Sequence, residues 1–279
     1  MAISTITSNS IADGAVTSSD LASGAVEQAM TTQIGGRRNL IINGAMQVAQ
    51  RGTSVSVSNS AGYKTVDRWH YTFGDSTSGE FSTWTMSQDT DAPEGFASST
   101  KFICTTAASA PSTRTSTVLQ QRIEGQNLQH LKYGLSSANK LTASFWIKSN
   151  NTGTIGVSLI QVGNTRLYVE SVSIDSANTW EYKTITFDGD TANALANDNT
   201  EELAIRFSWE YNTDRIGGSA LWGASGTPDG QSYLAPTGTS ARTTSLNDTF
   251  YITGVQLEVG SVATPFEHRS YGEELALCQ

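Results

Sequence analysis

Carboxylates are the side chains from which this sequence could most readily build a reaction centre. Glu80, Asp89, Asp91, Glu181, Asp188, Asp190, Glu201 and Glu202 offer many formal pairs for acid and base work on a glycosidic bond. Most of them flank turns, where a solvated carboxylate is ordinary, and spacing alone selects no pair. Asp188-Gly-Asp190, followed by Asn197 and Asp198, gathers oxygen donors that suit a hard cation such as calcium, without the frame of an EF-hand loop. A polar turn accounts for the same residues. His70, His130 and His268 are too scattered to suggest zinc. No Gly-x-Ser-x-Gly elbow or Walker-type loop is present, so hydrolysis by an activated serine and nucleotide use both lack a starting motif. No catalytic residue is assigned.

The tryptophans carry more information. Trp69 and Trp209 fall in step with inward apolar residues and are expected in the core. Trp146 is out of step with Leu141, Phe145 and Ile147, and Trp222 lies between glycines in a long loop that also holds Tyr233. An aromatic ring outside the core is a flat platform on which a sugar ring can stack, so Trp222, Tyr233 and Trp146 are the candidate binding residues. Two plainer roles compete: a contact between subunits for Trp146, and an anchor packing the loop onto a sheet for Trp222.

The elements that must position these side chains are strands. The 279 residues are 37% hydrophobic but only 15% charged, a composition that suits short strands and turns. A net charge of −9 with no run of Lys and Arg argues against nucleic acid as a partner. Cys104 and Cys278 form neither a close pair nor a disulfide framework, and Cys104 reads as a small buried hydrophobe on a strand. The start of the chain has no signal-peptide pattern, and no stretch approaches the roughly 20 apolar residues of a membrane span, so membrane insertion is not expected.

Period-two patterns predict strands over Asp67–Phe73, Glu80–Met86, Thr100–Cys104, Leu141–Ile147, Ile155–Val162, Leu167–Ile174, Trp180–Phe187, Glu202–Tyr211 and Phe250–Val259. In Glu202–Tyr211 the inward set is Leu203, Ile205, Phe207, Trp209 and Tyr211, with Glu210 facing out. Residues 122–134 lack that period and suggest a helical turn or an irregular crossover. Nine or ten such strands predict a mainly β fold, a two-sheet sandwich of jelly-roll type, occupying residues 37–279.

Ahead of this body lies a different kind of segment. Ile11-Ala-Asp-Gly-Ala-Val16 returns as Leu21-Ala-Ser-Gly-Ala-Val26, and Ile3, Ile6, Ile11, Val16, Leu21 and Val26 are the apolar points of residues 1–36. One copy of such a repeat leaves its apolar edge wet, and several chains wound together would cover it. The segment therefore reads as an extended stalk that oligomerises and anchors, ending at Gly35-Gly36.

Three motifs carry a resemblance. Arg38-Asn-Leu-Ile-Ile-Asn-Gly-Ala-Met-Gln-Val-Ala-Gln-Arg-Gly52, Asp67-Arg-Trp69, and Ile252-Thr-Gly-Val-Gln-Leu-Glu-Val-Gly-Ser-Val-Ala-Thr-Pro-Phe-Glu267 together resemble bacteriophage tail-fibre and related virion proteins. The leader resembles the repeats near the N-termini of phage fibres. Ala143–Lys148 and Asn178–Phe187 look like the jelly-roll carbohydrate-binding modules found in such proteins. What the resemblance implies is a homotrimeric, non-enzymatic subunit, made in the host cytoplasm and placed in the virion tail. Its N-terminus would dock to a tail or adaptor protein, and its body would attach to a host surface glycan. No cofactor follows from the resemblance beyond a structural calcium, for which Asp188, Asp190 and Asp198 are the candidate ligands. Two rival functions are a glycan-depolymerising tail spike and a purely architectural adaptor or capsid decoration.

Deleting residues 1–36 is expected to leave a folded body that is lost from particles. Quantifying the truncated protein in purified virions checks this, and normal copy number would contradict it.

Overall fold

The strands pair into two antiparallel sheets, and the computed structural model describes residues 38–73, 82–108, 116–162, 166–224 and 233–279. The first sheet contains β1 (Ser54–Val57), β4 (Thr83–Asp89), β5 (Ser99–Thr106), β15 (Thr249–Val259), β7 (Leu141–Ser149) and β10 (Glu181–Phe187), in that order. The second contains β13 (Gly223–Ala224), β9 (Arg166–Ile174), β8 (Gly153–Gln161), β11 (Glu201–Tyr211), β6 (Ser116–Glu124), β3 (His70–Phe73) and β2 (Gly62–Tyr63). A short parallel pair joins β12 (Ile216–Gly218) to β14 (Ala235–Pro236). From β5 to β11 the chain crosses repeatedly between the sheets, the wrapping of a jelly-roll sandwich. One compact unit covers Asn39–Gln279. The leader positions Ile3, Ile6, Ile11, Val16, Leu21 and Val26 lie outside the described residues.

Aromatic rings fill the space between the sheets. Trp209 stacks on Phe250 at 4.5 Å and lies 4.4 Å from Phe102, while Phe145 meets Phe207 edge-on at 5.0 Å. Trp69, Leu141, Ala143, Phe145, Ile147 and Cys104 are fully buried. Burial also pushes the Cys104 thiol up to about 11, so it behaves as the small hydrophobe expected of it.

The expected alternation breaks at the end of β11. A register shift between Ser208 and Glu210 against β6 reverses the side-chain order. Tyr211 therefore leaves the main core and packs with Val118, Leu234 and Ala235, while Glu210 turns in and accepts hydrogen bonds from Ser82 and Thr117. A bulge is invisible to a strict period of two. The pattern also missed β6, between β11 and β3 in the second sheet, because Gln121 occupies an inward position there. Its side chain is buried and makes two 2.7 Å bonds to the backbone of Ile42. β1 and β2 lie where no period-two pattern predicts a strand, and 3-10 turns at Gly125–Asn127 and Gln129–Leu131 form the irregular crossover.

The motifs at the two ends of the body interlock. β5 pairs with β15 only over Thr249–Ile252, which leaves the rest of that β15 edge open. Residues 39–44 complete it: Leu40 N–H donates to Leu257 O, Val255 N–H donates to Gly44 O, and the Asn39 side chain bonds Val255 O and Leu257 N–H. A β-carbon at Gly44 would sit 2.1 Å from Val255 O, so only glycine fits. Asn43, with a φ of 56°, bridges Val48 O, Val48 N–H and Asp67 O at 2.9–3.0 Å. Its carbonyl receives the Trp69 indole N–H, and its N–H donates to Glu274 in the helix α1 (Tyr271–Cys278). Arg269 donates to the carbonyls of Ile41 and Asn39.

Replacing Asn43 with Ala strips a buried site of three side-chain bonds and puts alanine in the left-handed region. The expected loss is about 3 kcal/mol by urea unfolding, and a loss under about 1 kcal/mol would contradict this role.

On the outer face of the second sheet, burial and the nearby Arg122 lower His70 to about 4. The native imidazole therefore stays neutral while the unfolded chain takes up a proton near pH 6.5. Stability from this group is present above pH 6.5 and is lost as pH falls towards 4. NMR titration should find the His70 signals unmoved down to pH 5; a midpoint near 6.5 in the folded protein would refute this.

Candidate functional site

The outer face of the first sheet carries aromatic rings that the core does not use. Trp146 on β7 stands opposite Thr253 on β15 and Tyr182 on β10. Two residues along, Tyr251 on β15 stands opposite Lys101 on β5 and Lys148 on β7. These positions are out of step with buried Ile147, Ile185, Phe187, Phe250 and Ile252, so the same alternation that builds the core turns them outward, Tyr182 exposed and Tyr251 buried beneath its neighbours. The set crosses four strands, or about 14 Å at the usual spacing between strands.

The rings form two touching groups. Trp146 and Tyr182 lie 5.3 Å apart with a tilt of 50°, and Tyr182 is 46% exposed. Trp180 meets Tyr251 at 6.0 Å. Lys148 Nζ stands 4.5 Å from the Tyr251 ring centre and 5.2 Å from that of Trp180, and Lys101 Nζ stands 5.3 Å from Tyr251. Asp91 links the group, accepting from Lys148 and, at 3.0 Å, from the Trp180 indole N–H. The Lys148 hydrogen bond holds the Asp91 carboxyl below its ordinary value. Burial pushes the Asp89 carboxyl up, but the Asp91 N–H and Lys101 overcome this and leave it lowered. Both carboxylates stay ionised, and the ammonium groups are held over the rings.

Gly254 adds a third group. With φ of 60°, it sits in the bulge of β15, where a β-carbon would lie 2.7 Å from Phe96 and 3.1 Å from Trp146. Its bare backbone leaves room for both rings. Phe96 in turn meets Phe266 at 5.0 Å and His268 at 5.3 Å. The result is a face of outward-pointing rings framed by hydroxyl and charged groups, a composition suited to stacking and orienting a polyhydroxylated ring.

Of the candidates read from sequence, only Trp146 lies on this face. Trp222 packs between Tyr133 and Tyr168 at 5.7 and 5.8 Å, and its indole N–H donates to Asp188 O at 2.6 Å. These are the contacts of an anchor holding its loop to the main core. Tyr233 packs with Ile160, Leu167, Val169 and Ala204 and covers the backbone of Gly217. Leu167 and Tyr168 are neighbours on β9, so Tyr233 and Trp222 lie on opposite faces of the second sheet and do not converge. Sequence reasoning missed Trp180, Tyr182 and Tyr251, although the argument that singled out Trp146 applies to each.

The other carboxylates are engaged elsewhere. Asp190 is buried and accepts from Arg166 at 2.6 and 3.0 Å, from Gln161 at 3.0 Å and from the Ala192 N–H. Asp188 pairs with Lys140, and Asp198 caps Thr200. The three candidate calcium ligands thus serve separate partners, and among the described residues no group of three or more His, Cys, Asp or Glu side chains converges on a metal position. Glu181 binds Lys183 and two backbone N–H groups, and Glu201 binds Arg122. Glu202 accepts from Ala196 N–H, while Glu80 lies outside the described residues.

No protein-family model and no curated protein matches the chain. Among solved structures, it is similar to the enzymatically active domain of tailspike protein 4 of bacteriophage CBA120, at 13% identity and a TM-score of 0.38. That match covers 80% of this chain, which spans only 21% of the tailspike chain. A second likeness is to TmCBM61, solved with β-1,4-galactotriose, at 11% identity and a TM-score of 0.37, covering 80% of this chain and 100% of that one. A third is to the family 11 carbohydrate-binding module of Clostridium thermocellum, solved with a mixed-linked tetrasaccharide. It has 11% identity and a TM-score of 0.34, covering 74% of this chain and 95% of that one. At TM-scores below 0.5 these likenesses assign no function.

Proposed function

We propose that this chain is a structural subunit of a phage tail fibre whose β-sandwich body binds a host surface glycan on the outer face of its first sheet. The observation that carries the glycan-binding reading is the outward ring set of Trp146, Tyr182 and Trp180, with Lys148 and Asp91 fixed among the rings. A sugar offers a ring with apolar C–H faces and a rim of hydroxyls. The indole and phenol faces take the former, and the charged and hydroxyl groups orient the latter.

Binding without turnover fits the carboxylates beside these rings. A general acid for glycoside cleavage must hold a proton near neutral pH. Asp89, Asp91 and Glu181 are instead held below their ordinary values, and each is bound to a lysine. The tail-fibre role rests on the repeat leader and on the motifs that bracket the body. Through that leader the subunit would trimerise and dock to the tail, and a trimer would turn weak single sites into durable adhesion.

The test is binding of the full chain to isolated host envelope polysaccharide, by calorimetry. The double variant Trp146→Ala, Tyr182→Ala removes surface rings and should retain its circular dichroism spectrum while losing at least tenfold in affinity, equivalent to about 1.4 kcal/mol. Unchanged affinity would overturn the site. Release of new reducing ends would favour the depolymerising spike, and a chain that enters virions but binds no envelope fraction would favour the architectural adaptor.

A further inference from the structure

A second opening lies away from the aromatic face. The turn between β7 and β8, the start of β8, Ser171 on β9 and the loop at residues 238–243 enclose an open cavity of about 630 Å³. Its lining includes the hydroxyl-bearing residues Thr152, Thr154, Ser171, Thr239 and Ser240, together with Arg242.

Three features fix Arg242 in place. Its backbone forms a two-bond bridge with Tyr211, at 2.9 and 3.0 Å. Its guanidinium lies over the turn, with long bonds of 3.3–3.4 Å to Thr152 O, Asn151 O and Ser149 Oγ. A β-carbon at Gly153, where φ is 127°, would stand 2.9 Å from Arg242 Nη1, so glycine is needed for this placement.

Among the described residues, no anion sits on the guanidinium. Its hydrogen-bond partners are two carbonyls and a hydroxyl, and no carboxylate of the described residues pairs with it. Asp248, whose charge it feels, is already held by Asn151 and by the Ser245 N–H. Burial lowers Arg242 from its ordinary value, the direction expected of a cation short of compensation. In a chain of net charge −9, one such cation among hydroxyls balances a single negative charge rather than a dianion.

We infer that this cavity binds an acidic sugar unit carrying one negative charge, with Arg242 receiving the anion and the Thr and Ser hydroxyls receiving the ring. The inference rests on the glycan-binding reading and adds a second subsite to it. A guanidinium fork matches both a carboxylate and a phosphodiester, and either group attached to a saccharide supplies the same chemistry.

Calorimetry on the full chain with three probes tests it: an oligogalacturonate, a glycerol-phosphate oligomer and a neutral galacto-oligosaccharide of equal length. At least one acidic probe should bind more tightly than the neutral one, with affinity falling as salt is raised. Which acidic probe binds distinguishes carboxylate from phosphodiester. Arg242→Gln should weaken that binding at least tenfold. Ser171→Phe, which fills the cavity without touching the Arg242 contacts, should do the same. The Trp146→Ala, Tyr182→Ala variant should keep the salt-sensitive binding. Acidic probes that bind no better than the neutral one, or that bind both cavity variants as they bind the parent, would overturn the inference. Loss of neutral-probe binding only in the aromatic variant would then leave the first-sheet site standing alone.

Discussion

An unfinished sheet edge dictates how this body closes. β15 is the strand through which β5 and β7 are joined, yet its second half has no neighbour on the β5 side. Buried backbone groups left open there would each cost about 1–3 kcal/mol. The chain between Asn39 and Gly44 supplies the missing bonds, and Asn43 then ties that segment to Val48, Asp67, Trp69 and the C-terminal helix. The three motifs that bracket the body in sequence are thus parts of one hydrogen-bonded clasp. Their residue types follow from geometry: asparagines because one side chain must donate and accept, and glycine where a carbonyl approaches to contact.

The same closure produces the surface face. The β15 bulge that the clasp satisfies places Gly254 under Phe96 and Trp146, and its lack of a side chain leaves room for both rings. Beyond the bulge, ordinary alternation divides the aromatic residues. Phe145, Phe187 and Phe250 go inward against Phe207, Tyr168 and Trp209, while Trp146, Tyr182 and Tyr251 go outward. Core packing therefore fixes the rotational setting of the strands that carry the outer rings. A binding surface built on paired strands is pre-organised and avoids the entropic cost of ordering loops.

How far this was legible in the sequence depends on whether a residue follows its local period. Leu203 to Trp209 obey it and were placed inward as expected, whereas the bulge at Ser208 and Glu210 could not be read and sent Tyr211 to the other face. β6 escaped because buried Gln121 looks polar, and its role is set by Ile42, far away in sequence. The C-terminal helix had a readable signal in Ser270-Tyr-Gly-Glu273, since Ser270 caps it by accepting from the Glu273 N–H. Trp146 was recoverable from phase, and so were Trp180, Tyr182 and Tyr251. Trp222 was drawn instead by its glycine-rich surroundings, which say nothing about the Tyr133 and Tyr168 rings it packs between.

The six tryptophans provide the most direct test of where a glycan sits. Indole N–H resonances of the full chain, followed by NMR during titration with host envelope polysaccharide, report on each ring separately. Binding on the first sheet predicts that the Trp146 and Trp180 signals move. Those of Trp69, Trp84 and Trp209, inside the sandwich, should stay in place. Shifts confined to Trp222, or none at any tryptophan under saturating ligand, would contradict the account.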